Sequence, residues 1–180
     1  MTVNYFRKYY PVVLLIVVII VSTALLSAAE RINRAVLESR QDPETIALLQ
    51  QLFSDATFYT YRVDTEIYTL YDSKRHKLGY AMYGEGWGYR SKITVLAGLK
   101  DKETIHNIIV INQLEDISYW NRLEYDNFLD QFIGLDVDEC YPSYKILPGG
   151  VDATTGATYS SKGVTNAVQD AIMDKLEYLD

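Results

Sequence analysis

Pro11 to Ala29 contains no charged residue and is apolar apart from Ser22, Thr23 and Ser27. About 20 helical residues cross the hydrocarbon core of a bilayer, so this run predicts one transmembrane helix over 11–29. Tyr9 and Tyr10 stand where an interfacial aromatic belt belongs. A signal peptide fits the same pattern, with Arg7 and Lys8 as its basic start and Ser27-Ala28-Ala29 as a small-residue cleavage site. The expectation adopted is a retained span. Arg7 and Lys8 precede it, while Glu30, Arg31 and Arg34 follow. With so short a leading segment, the positive-inside tendency puts residues 1–10 in the cytoplasm as a tail and the remainder outside.

Beyond the span the pattern changes. Glu30 to Arg40 can continue as helix, with Ile32, Val36 and Leu37 at helical spacing. Asp42-Pro43-Glu44 is a helix start: a capping aspartate, a proline at the first position and an acid in the first turn. Ile46, Leu49, Leu52 and Phe53 then form one apolar face. Residues 30–56 are expected to be a helical linker.

The middle of the chain alternates and is rich in aromatic and β-branched residues, which predicts antiparallel strands at Thr57–Val63, Thr65–Tyr71 and Leu78–Tyr83. Asp72-Ser73-Lys74-Arg75 is a polar turn from which Leu78–Tyr83 returns, and Gly84-Glu85-Gly86-Trp87-Gly88 is expected to break the pattern. Lys92–Leu99 and Ile105–Asn112 predict a hairpin around Lys100–Glu103. Trp120, Leu123, Phe128 and Phe132 predict a helix over 117–132. A short strand is expected at Cys140–Leu147. The last helix is expected over Ser161–Leu179, with Val164, Val168, Ile172, Leu176 and Leu179 inward. The fold class is α+β: a single N-terminal transmembrane helix, then one domain with an antiparallel sheet flanked by helices.

Composition narrows the function. The chain has 180 residues, 13% of them aromatic, so about 150 residues remain after the apolar run, enough for one real core. Past Ala29 there are 15 basic and 24 acidic residues, a balance of -9. So acidic a domain lacks the electrostatic footprint of a nucleic-acid binder. Cys140 is the single cysteine, which excludes an intrachain disulfide and reads as a small packed residue; His76 and His106 are isolated, so no metal site is expected.

The chemistry is concentrated in Asp152-Ala153-Thr154-Thr155-Gly156-Ala157-Thr158-Tyr159-Ser160-Ser161, between a glycine turn and a helix start. Free amides and the positive end of a helix dipole suit a phosphate. Gly156 and Ala157 permit close backbone approach, and Ser160 and Ser161 are placed to cap the helix or donate to the phosphate. Lys162 adds charge nearby. Polar runs of this kind also serve as plain caps and turns, and from spacing alone both readings stand. A threonine hydroxyl is a weak nucleophile without a neighbouring base, and no base is evident beside Thr158.

This run resembles the flavinylation motif Asp-x-x-(Ser/Thr)-Gly-Ala-Thr, whose last threonine is esterified to the phosphate of FMN. Gly86-x-Gly88-Tyr89-x-x-x-Ile93-x-Val95 is similar to the Gly-Tyr turn and strand of the same domain, and Val164-x-x-Ala167-Val168 to its last helix. The chain thus resembles the FMN-binding subunits of two respiratory complexes: RnfG of the Rnf ferredoxin:NAD oxidoreductase and NqrC of the sodium-pumping NADH:quinone oxidoreductase.

The resemblance implies an extracytoplasmic FMN-binding domain over 57–180 with covalent FMN on Thr158. It implies recognition positions at Asp152, Thr155, Gly156 and Ala157. It also implies a flavin transferase that uses FAD with magnesium and releases AMP. The implied role is electron transfer among neighbouring membrane subunits of a complex exporting sodium ions or protons, with no catalytic acid or base in this chain. For the flat isoalloxazine ring, Trp87 and Tyr89 are candidates, with core packing or an interface as their alternative use. One departure stands out: where these subunits commonly carry Glu-Thr-Pro-Gly-Leu-Gly, this chain reads Gln113-Leu114-Glu115-Asp116-Ile117-Ser118. Two other roles fit the same domain, a structural subunit without flavin and an anchored FMN-binding sensor; the ten residues before Pro11 leave a sensor no room for a cytoplasmic output domain.

Overall fold

A computed structural model describes residues 3–39, 41–140 and 150–179. It divides into two units, Met1–Arg40 and Gln41–Asp180. The first is helix α1, Val3–Ser39. Within it, Tyr10–Ala29 has a mean hydropathy of 2.9 over a stretch long and apolar enough to cross a membrane.

The second unit begins with α2, Pro43–Leu52. The expected start signal is used as written: the Asp42 carboxylate accepts the Thr45 N–H at 3.1 Å, with Pro43 in the first turn. Five antiparallel strands follow: β1 (Phe58–Arg62), β2 (Ile67–Tyr71), β3 (Lys77–Trp87), β4 (Lys92–Leu99) and β5 (Ile105–Asn112). They lie in the order of the chain, each paired with the next. Both faces are covered. Leu70, Ala81 and Leu96 point to α2 and pack with Leu49, Leu52 and Phe53. Ile67, Tyr80, Met82, Ile93, Val95 and Ala97 point the other way, into the main core with Val164, Val168 and Ile172. Neighbours in a strand go to opposite cores, as a period of two requires. Helix α2 therefore belongs to the same compact unit as the sheet.

Two of the glycines expected to break the third strand, Gly84 and Gly86, instead lie within it, and Gly88 follows its end. Gly84 pairs with Val95 and Gly86 with Ile93. Gly84, Gly86 and Gly88 alternate with Glu85 and Trp87, so they share a face, and α4 (Thr158–Ile172) lies on that face. A Cβ on Gly86 would come within 2.0 Å of the Gly163 carbonyl oxygen, and one on Gly84 within 2.1 Å of that of Ala167. Gly163, Ala167 and Ala171 recur every four residues and form the matching smooth stripe of α4. Glycine here makes room for a helix rather than breaking a strand.

Three further boundaries differ. The helix expected over 117–132 is α3, Ile117–Tyr125, followed by a separate 3-10 turn, Phe128–Phe132. Asn127 divides them in a left-handed conformation (φ 50°), which asparagine tolerates better than most residues. The break turns Phe128 and Phe132 fully into the core. Helix α4 starts at Thr158 rather than Ser161 and stops at Ile172, leaving a short turn at Leu176–Tyr178. Of the strand expected at Cys140–Leu147, residues 141–147 lie outside the described residues. Cys140 itself is buried, and burial pushes its thiol up to about 12, so it is a packed side chain.

Candidate functional site

The polar run before α4 folds as a tight turn into a helix. The Ala157 N–H donates to the Thr154 carbonyl at 3.0 Å, and Gly156 sits at φ 78°, a conformation that favours glycine. Arg122 of α3 closes against this turn: its Nη1 donates to the Thr155 carbonyl at 3.3 Å, and a Cβ on Gly156 would lie 2.1 Å from that nitrogen. Ala157 is the N-cap residue and gives no side-chain cap, so Thr158 is the first helical residue. The first intrahelical amide bond is Ser161 N–H to the Ala157 carbonyl, 2.9 Å. The N–H groups of Thr158, Tyr159 and Ser160 therefore have no acceptor within the helix. The helix dipole adds partial positive charge at the same place.

The capping role expected of Ser160 and Ser161 is not theirs: both lie inside the first turn because the helix begins three residues early. Both are buried. The Ser161 hydroxyl accepts the Thr154 N–H at 3.1 Å and donates to the Ala157 carbonyl at 3.0 Å. The Ser160 hydroxyl donates to Glu115. With these hydroxyls engaged internally, the first turn presents amides to an anion.

Glu115 is the residue that sequence reasoning missed. Only 8% exposed, it lies between β5 and α3 and accepts the backbone N–H groups of Tyr89 (2.9 Å), Arg90 (2.8 Å) and Ser91 (2.9 Å). Burial raises its pKa, but the Ser160 hydroxyl and the three amides together outweigh burial and hold the carboxyl below its ordinary range. An acid between a strand and a helix carries no sequence signal that separates it from a solvated one.

Beside this carboxylate is an open hollow of about 270 Å³ lined by Tyr89, Tyr119, Thr158, Tyr159, Ser160 and the backbone turn at Gly156-Ala157. The Tyr89 ring stands edge-on to Tyr119 at 5.0 Å and tilted to Tyr159 at 6.2 Å. Thr158 is exposed at the rim. Among the described residues, those lining the hollow include no histidine or carboxylate that could take a proton from its hydroxyl.

Of the residues singled out in the sequence, Gly156, Ala157, Thr158, Ser160 and Tyr89 meet at this hollow. Thr155 faces solvent, its carbonyl held by Arg122. Asp152 is also exposed; its backbone N–H and carbonyl are both bound by the Gln131 side-chain amide, at 2.9 and 3.1 Å. Trp87 is 68% exposed at the end of β3, where the Lys92 ammonium lies 6.0 Å from its ring; it does not line the hollow. Tyr119 and Tyr159 take part where the sequence suggested only Trp87 and Tyr89.

Residues 88–173 match the family model of the FMN-binding domain. The chain carries an FMN-binding domain. Its two ends are the turn held by Glu115 and the far end of α4, so the matched stretch contains the whole hollow. The fold is similar to that of the NqrC subunit of the Na(+)-translocating NADH-quinone reductase from Parabacteroides distasonis. The two are 19% identical, with a TM-score of 0.52, over 62% of this chain and 61% of that one, less than two thirds of its length. Shewanella oneidensis NqrC is similar at 14% identity and a TM-score of 0.49, over 77% of this chain and 78% of that one. No curated protein sequence matches the chain.

The residues present fit FMN. Three amides without an acceptor in the helix and a helix dipole suit its phosphate, and the tyrosine rings offer flat surface to its ring system. At about 270 Å³ the hollow falls short of the roughly 300–1,000 Å³ typical of enclosing ligand sites, so it suits part of a flavin rather than all of it.

Proposed function

We propose that the chain is a membrane-anchored flavoprotein subunit. FMN is carried as a phosphoester of Thr158, and the subunit passes electrons within an Rnf- or Nqr-type complex that exports sodium ions or protons. The observation that carries this reading is the position of Thr158: an exposed residue at the start of the helix, beside three amides without an acceptor in the helix and an aromatic hollow. A phosphate esterified there lies within reach of the amides, and the Arg122 guanidinium adds positive charge at the adjoining turn.

When bound, the flavin supplies the electron-carrying chemistry. The protein holds the phosphate end, presents tyrosine surface and keeps the site on rigid elements. Since the described residues lining the hollow include no base, esterification falls to a separate flavin transferase. That enzyme acts on FAD: the Thr158 oxygen forms the new bond to phosphorus, the pyrophosphate link breaks, and AMP leaves. Asp152 and Thr155, exposed on the approach to Thr158, are available for recognition by it. Helix α1 anchors the subunit, with the tail before Pro11 in the cytoplasm and the domain outside. A tether also keeps local cofactor concentration high where free FMN is scarce.

The test is peptide mass spectrometry of the full chain made in cells containing the transferase. The Thr158 peptide should carry the mass of FMN as a phosphoester. Thr158→Ala should abolish in-gel flavin fluorescence while changing stability by no more than about 0.5 kcal/mol, as for an exposed position. An unmodified Thr158, or a fluorescent Thr158→Ala band, refutes the assignment.

A further inference from the structure

The carboxylate of Glu115 joins two elements far apart in the sequence. From one side it gathers the N–H groups of Tyr89, Arg90 and Ser91 in the turn after β3. From the other it accepts the Ser160 hydroxyl from the first turn of α4. The packing leaves little slack: a Cβ on Gly88 would lie 2.7 Å from the Glu115 Cδ, and one on Gly163 would lie 2.7 Å from the Gly88 Cα. A buried carboxylate needs its lone pairs satisfied, and here the donors come from the two segments that bear Tyr89 and Thr158. Removing the carboxylate would leave several amides of the turn without an acceptor, and the turn would lose its tie to the helix.

We propose that Glu115 is a positioning residue for the flavin. It locks the Tyr89 turn onto the start of α4, so that the Tyr89 ring and the Thr158 hydroxyl face one hollow, and its fixed negative charge beside that hollow makes electron addition to the flavin harder. This inference rests on the reading of Thr158 as the attachment point. The segment that departs from the family pattern, Gln113–Ser118, thereby has a definite task. Its glutamate anchors the flavin turn from below, while the neighbouring Arg90–Asp116 ion pair, 3.0 Å, ties the same turn at the surface. The charge effect follows from electrostatics alone: a nearby anion disfavours a gain of negative charge.

The test uses the full chain in detergent, made with the transferase, as wild type, Glu115→Gln and Glu115→Asp. Hydrogen exchange reads the lock whether or not flavin is present. The amides of Tyr89, Arg90 and Ser91 should exchange at least about tenfold faster in Glu115→Gln, because hydrogen bonds to a charged acceptor are lost. Glu115→Asp keeps the charge but is one methylene too short to span both elements, so it should also exchange faster. The midpoint potential of the covalent FMN reads the second part: it should shift upward in Glu115→Gln and stay nearer wild type in Glu115→Asp. If Glu115→Gln does not fold, Glu115→Asp carries the exchange measurement. Wild-type exchange at these amides in the folded variants overturns the lock. Faster exchange with an unchanged potential in Glu115→Gln overturns the role in the flavin and leaves Glu115 a structural tie. Wild-type protein without FMN, but with protected amides that Glu115→Gln releases, refutes the function proposed above and confines Glu115 to the fold.

Discussion

Gly86→Ala tests how α4, and with it Thr158, is held in place. Gly86 is an ordinary strand residue, so alanine is free to adopt its backbone conformation and the substitution adds only a methyl group. That methyl would sit 2.0 Å from the Gly163 carbonyl oxygen and 2.6 Å from the Ala167 nitrogen. Ordinary contact begins near 3.4 Å, so the shortfall is about 1.4 Å against backbone that cannot rotate away. Overpacking a well-filled core costs about 1–3 kcal/mol, and a clash with helix backbone belongs at the top of that range. Alanine recovers about 0.4–1 kcal/mol by restricting the unfolded chain, leaving a net loss of about 2 kcal/mol. For a domain of this size, that lowers the melting temperature by roughly 4–8 °C. Thermal unfolding of the full chain in detergent measures it, and the displaced helix start should also reduce the yield of FMN on Thr158. A Gly86→Ala protein within about 0.5 kcal/mol of wild type, the usual scatter of surface substitutions, would show that α4 does not rest on the glycine face.

Two more outcomes follow from the same geometry. The Glu115 carboxyl lies below its ordinary range when folded, so its contribution is fully present above the unfolded value and is lost as pH falls through the lowered one. Acid unfolding below about pH 4.3 should therefore be steeper in wild type than in Glu115→Gln, as followed by circular dichroism, and equal slopes would contradict it. For sidedness, trypsin added to intact cells should cut at Lys74 or Arg75, exposed in the turn between β2 and β3. Full protection of that turn in intact cells, with cleavage after lysis, would place the domain in the cytoplasm.

Much of the scaffold was legible because periodicity and local chemistry agree there. Asp42-Pro43 starts α2, the β4–β5 hairpin falls where alternation places it, and Val164, Val168 and Ile172 mark the inner face of α4. The misreadings share a cause: they depend on what a residue meets far along the chain. Gly84, Gly86 and Gly88 look like breakers until Gly163, Ala167 and Ala171 are set against them, about 80 residues on by their numbers. Their strict alternation was the available clue, since a breaker has no reason to keep one face of a strand. The Thr158 run was legible as a helix start, but Glu115, Tyr119, Arg122 and Tyr159 were not. Their roles come from the crossing of α3, the β3 turn and α4, which no local pattern encodes.

That crossing also bears on why the proposed attachment point lies at a helix start rather than in a mobile loop. A site on rigid elements keeps its geometry better than one on loops. Here the strand glycines fix the distance of α4 from the sheet, and Glu115 fixes its first turn against the β3 turn. The hollow that results is small and open. An enzyme that performs chemistry on a bound substrate gains from enclosing it and excluding water. A carrier must leave part of its cofactor facing outward, where a redox partner can approach, and a half-hollow with a firmly held base suits the carrier role proposed above.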